Sequence, residues 1–99
     1  MSYKRWYAGK STKSDANQKP IVECFRKMGA SVWALDRPVD LIVGYAGKMG
    51  LVEVKNREGK DKISPDQKKF FEEWKGPLVP IAYGPDDCET ILRAIAKGL

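Results

Sequence analysis

The chain has 99 residues, 42% of them apolar and 31% charged, which fits one modest globular domain and excludes a fibrous or low-complexity protein. It contains no histidine, and its two cysteines, Cys24 and Cys88, match no CxxC spacing, so a zinc site of the usual ligands is excluded. The net charge of +5 and pI of about 9.3 favour a polyanionic partner only mildly, and no apolar stretch approaches the roughly 20 residues that cross a bilayer.

Residues 1–14 are polar and basic, without periodicity, and read as an arm preceding a domain at 15–99. No apolar secretory region opens them. Lys4, Arg5, Lys10 and Lys13 crowd this arm around Trp6 and Tyr7, and Lys19 follows. Cations interleaved with aromatic rings suit a nucleic-acid strand, the cations on phosphates and the rings on bases or sugars. A solvated polar leader has the same composition.

A helix follows, capped by Asp15 or Asn17, with Pro20 expected in its first turn, where its missing N–H costs nothing. Ile21, Cys24, Phe25 and Met28 recur at i, i+3, i+4 and i+7 and form one apolar face, and Gly29 ends the helix. Three strands are then expected, at 31–35, 40–45 and 49–55, the last two joined by a turn at Ala46-Gly47-Lys48. After a polar loop, Ser64-Pro65 starts a second helix with Phe70, Phe71 and Trp74 on its apolar face. Residues 78–83 are continuously apolar and predict a buried fourth strand. A last helix carries Cys88, Ile91, Leu92 and Ile95 on one stripe. The order α-β-β-β-α-β-α predicts a single α/β domain, a mixed four-stranded sheet flanked by helices, with the second helix crossing between parallel third and fourth strands. Trp33, Phe70, Phe71 and Trp74 are expected in the core.

Two segments carry chemistry: Asp40-Leu41-Ile42-Val43-Gly44, and Leu51-Val52-Glu53-Val54-Lys55. Strand side chains alternate faces, so Glu53 and Lys55 share one face near the end of their strand. In an antiparallel hairpin the start of one strand lies beside the end of the next, which brings Asp40 to the same point. Two carboxylates there, with the Val54 carbonyl, are hard oxygen ligands suited to Mg²⁺ or Mn²⁺. A cation of this kind polarises a phosphate and lowers the pKa of its water. Lys55 would offset charge growing on the phosphate. Taken alone, Glu53-Val54-Lys55 describes any half-exposed amphipathic strand; the convergence with Asp40 gives it meaning. Arg57, Lys60 and Lys62 in the loop beyond would grip phosphates.

This ordered set, with Asp15-Ala16-Asn17-Gln18 ahead of the first helix, Gly29-Ala30-Ser31-Val32 after it, and Ser64-Pro65-Asp66-Gln67, resembles the PD-(D/E)XK nuclease superfamily over about residues 15–95. Its small phage and bacterial branch, akin to VRR-NUC nucleases and Holliday-junction resolvases, is the most similar. The resemblance implies a restriction-endonuclease-like core and a cytoplasmic, divalent-metal-dependent deoxyribonuclease selecting DNA structure rather than sequence, working as a homodimer. It assigns metal binding to Asp40, Glu53 and the Val54 carbonyl, and the catalytic lysine to Lys55. Relatives often carry an acid in the first helix; here Gln18 stands nearest, near the core-facing stripe, and Glu23 falls off it. Val39 stands where a proline usually precedes the acid. Gln67 occupies the place of a polar active-site residue, and also completes a Ser64-x-x-Gln67 capping box worth about 1 kcal/mol. The first-helix glutamine leaves a non-catalytic nucleic-acid-binding module on the same fold as the alternative. No dimerisation surface can be picked out from the sequence.

Overall fold

The structure, a computed structural model, describes residues 15–56 and 63–99. The basic residues Lys4, Arg5, Lys10, Lys13, Arg57, Lys60 and Lys62, with Trp6 and Tyr7, lie outside them. The elements run α1 (Asp15–Lys27), β1 (Ser31–Ala34), β2 (Leu41–Tyr45), β3 (Lys48–Val54), α2 (Pro65–Glu73), β4 (Ile81–Ala82), a 3₁₀ turn (Pro85–Asp87) and α3 (Cys88–Lys97). The strands form one sheet in the order β1-β2-β3-β4. The first three are antiparallel neighbours, and β4 lies parallel to β3 after the α2 crossover. This is the expected single α/β domain.

Local chemistry sets the element ends. Gly29 takes φ +94°, and the Ala30 amide donates to the Phe25 carbonyl while the Gly29 amide donates to that of Arg26, which together close α1. Pro20 is the sixth residue of α1, not in its first turn, because the helix begins by Asp15. The β2–β3 turn is two residues, Ala46 (φ 55°) and Gly47 (φ 77°), with Tyr45 paired to Lys48. Lys48 therefore belongs to the strand. Two positive φ values in a two-residue loop match the twist of the flanking strands.

One face of the sheet carries the core. Val32, Leu41, Val43, Val52, Val54 and Ala82 pack under Ile21 and Phe25 of α1 and Cys88, Ile91, Leu92 and Ile95 of α3. Each such aliphatic side chain contributes about 1.5–3 kcal/mol by leaving water. Met28, at the end of the α1 stripe, is 39% exposed, because the chain turns away at Gly29.

The opposite face is only partly covered. It carries Trp33, Ile42 and Leu51 side by side across three strands, with Met49 beyond. Trp33 is 52% and Met49 57% exposed, so neither is a core residue. The α2 helix has no buried residue; Phe70 and Phe71 are half-buried and Trp74 is exposed. Only two residues of the fourth apolar run pair as a strand, and of its side chains only Ala82 is fully buried. As an edge strand, β4 meets helices on one side alone.

Candidate active site

Asp40 immediately precedes β2, and Glu53, Val54 and Lys55 end and follow β3. Leu41 pairs with Val52, which sets Asp40 beside Glu53. The Val54 amide donates to Asp40 Oδ2 at 2.9 Å, so this carboxylate also closes the open end of the hairpin. A hydrogen bond to a charged acceptor contributes about 1.5–3 kcal/mol. The Val54 side chain points into the core.

Lys55 Nζ lies 3.1 Å from Glu53 Oε2 and donates to Gln67 Oε1 at 3.3 Å. The Glu53 side chain is 5% exposed and that of Lys55 14%. Burial, and then the neighbouring Asp40 charge, push the Glu53 carboxyl above its ordinary value, while Gln67 and Lys55 pull it part of the way back. Among the described residues, Glu53 Oε1 is buried without a hydrogen-bond partner, and so is Gln18 Oε1 on α1. A buried oxygen without a partner is a costly arrangement, and it is what a cation ligand looks like before the cation binds.

Gln67 has two duties. Its backbone amide donates to the capping Ser64 Oγ at 3.2 Å, and its side chain bridges Lys55 Nζ to the Pro38 carbonyl, to which Nε2 donates at 3.0 Å. The Ser64 cap read from the sequence is present, but the Gln67 side chain turns to Lys55 and Pro38 and does not complete the box. Asn17 was foreseen only as a cap. Instead its Nδ2 donates to the Lys55 carbonyl at 2.9 Å, tying α1 to the end of β3. Nothing local marks that contact, which joins residues 38 apart in the chain.

Glu53, Lys55 and Gln67 are thus linked in a chain of polar contacts, and Asp40, bonded to the Val54 amide, lies close enough for its charge to act on Glu53. Gln18 is 7% exposed, and its side-chain oxygen is bonded to none of them; Glu23 is exposed. Among the described residues no three acidic, histidine or cysteine side chains converge on one point. The site offers two carboxylates, a set that fits Mg²⁺, which keeps several waters of its own, and the unpartnered Glu53 oxygen leaves a ligand position open. No helix among the described residues is long and apolar enough to cross a membrane. The chain matches no known protein family, no characterised protein and no solved structure.

Proposed function

We propose that the protein is a divalent-metal-dependent nuclease that hydrolyses DNA phosphodiester bonds. One observation carries this reading: a nearly buried carboxylate, Glu53, has one oxygen on Lys55 and the other with no partner among the described residues, beside a second carboxylate, Asp40. Such an arrangement costs the fold stability unless a cation completes it. Asp40 and Glu53 would hold Mg²⁺ or Mn²⁺, with the carbonyl of Val54, the residue after Glu53, as a further oxygen. When bound, the ion supplies a water of lowered pKa and polarises the phosphate.

The chain's own residues do the rest. Lys55, held by Glu53 and Gln67, presents its ammonium to the charge that grows on the phosphate oxygens. Gln67 keeps Lys55 in place. Asn17 fixes the Lys55 carbonyl and Asp40 the Val54 amide, so the backbone on both sides of the Val54–Lys55 peptide is pinned. The basic residues at 4–13 and 57–62 would supply phosphate contacts without sequence choice.

The homodimer implied by the family resemblance has a fitting surface in the open sheet face. Trp33 protrudes there, and on the same face Met49, Gly50, Leu51, Trp74 and Pro77 line an apolar groove of about 360 Å³. A projection and a hollow on one face are what a two-fold self-association uses.

The test is cleavage of linear and branched DNAs with Mg²⁺ or Mn²⁺, compared with EDTA. Cleavage that disappears in Asp40→Ala and Glu53→Ala supports the reading. Binding without cleavage under any metal points instead to the non-catalytic module, which the glutamine at position 18 favours.

A further inference from the structure

We infer that Arg37 grips a DNA phosphate neighbouring the one being cut, and that Asp66 occupies its guanidinium until the strand arrives. This rests on the nuclease reading above and extends it to a residue with no part in metal binding.

A cleft of about 450 Å³ opens beside the site, lined by Asp36, Arg37, Pro38, Ser64, Asp66 and Gln67. Gln67 is the shared wall: its Oε1 takes Lys55 Nζ, and its Nε2 holds the Pro38 carbonyl at the cleft floor. A strand whose scissile phosphate meets Lys55 therefore continues naturally past Gln67 into this cleft. Arg37 is the one cation among the described residues of its lining. Asp40 is three positions further along the chain, so their Cα atoms are within about 11 Å even if that segment is fully extended. A nucleic-acid strand carries one phosphate per about 3.4 Å of duplex axis, so this reach covers the next few nucleotides.

The guanidinium is held loosely. Arg37 Nη1 lies 3.4 Å from Asp66 Oδ2, and its Nε is 4.0 Å from Asp36 Oδ2. The side chains of Arg37, Asp36 and Asp66 are 74%, 58% and 85% exposed. Pairs this exposed are weak, whereas a guanidinium meets a phosphate through two parallel hydrogen bonds. A phosphate therefore displaces Asp66 readily, and the two acids keep the cleft from attracting anions that make only one contact.

The experiment uses the full-length chain and fluorescence anisotropy with labelled duplex and branched DNA in EDTA, at several salt concentrations. Arg37→Ala is expected to weaken binding about tenfold and to lower the slope of log affinity against log salt by about one. Arg37→Lys restores the slope but only part of the affinity, because a lysine makes a point contact. Asp66→Asn tightens binding severalfold in the parent chain and has no effect in Arg37→Ala. In Mg²⁺ the loss in Arg37→Ala falls on KM rather than kcat. Both positions are exposed, and melting curves check that the variants stay folded. Unchanged affinity and slope in Arg37→Ala overturn the inference. So does an Asp66→Asn gain that persists without Arg37, which is a general charge effect. If the parent chain binds and cuts no DNA at low salt, the nuclease reading falls, and this inference falls with it.

Discussion

Lys55 Nζ lies 3.1 Å from Glu53 Oε2, so among the described residues the only salt-bridged partner of this nearly buried carboxylate comes from two residues further along the chain. The pair sits at the end of β3, with Lys55 the first residue past it, and needs no other element to form. Gln67 and Asn17, from two different helices, then hold the lysine's head and its carbonyl. Lys55→Ala should therefore lower kcat roughly 10²–10³-fold. It should also destabilise the metal-free chain, since it leaves Glu53 buried beside Asp40 with no cation. Steady-state cleavage and thermal unfolding measure the two effects separately.

The raised Glu53 carboxyl gives a pH dependence with a definite sign. A carboxyl that holds its proton more tightly when folded than when unfolded stabilises the fold most below pH 4.5. That stability is lost as pH rises from 4.5 through the raised folded value, and changes no further above it. Glu53→Gln lacks this loss. The difference in melting temperature between parent and Glu53→Gln, measured in EDTA, should move in favour of the variant as pH rises from 4 to neutrality. Adding Mg²⁺ should raise the melting temperature of the parent and leave that of the variant unchanged.

Asp40 separates folding from chemistry. Asp40→Asn keeps an oxygen for the Val54 amide, and Asp40→Ala leaves that amide without its acceptor. The alanine variant should lose about 1–3 kcal/mol in denaturant unfolding, and the asparagine variant much less. Both should lose metal-dependent cleavage.

The open sheet face predicts an oligomer that a charge disrupts. In light scattering the parent chain should show twice its 11.1 kDa mass. Met49→Lys, or Trp33→Lys, should return it to the monomer without loss of fold, because both side chains are already exposed.

The two thiols should be told apart by a thiol reagent. Cys24 is half-buried, whereas Cys88 is fully buried and its thiol is pushed up to about 12 by burial and then by the neighbouring Cys24. Folded protein at pH 8 should titrate one thiol, absent in Cys24→Ser, and the second only in denaturant.

The element order and the meeting of Asp40 with Glu53 and Lys55 were legible because they follow from short-range rules: period two in strands, and antiparallel return through a tight turn. The Asn17 and Gln67 contacts to Lys55 and Pro38 were not, since helix placement over a strand end is decided by packing across the chain. Trp33 and Trp74 misled for a related reason. An apolar strand face asks for cover, but the sequence does not say which face receives a helix. Here α1 and α3 both take the same one, and short α2 shields only the Glu53 end of the other.

The bond from the Val54 amide to Asp40 also bears on how relatives of this chain should be read. An oxygen at position 40 serves the hairpin whether or not the protein cuts anything, so a lineage that abandoned cleavage would still be held to aspartate or asparagine there. Position 53 is under the opposite pressure, because a buried charge is a burden to a protein that binds no cation. If the nuclease reading holds, a glutamate at 53, more than an acid at 40, would mark which relatives cut.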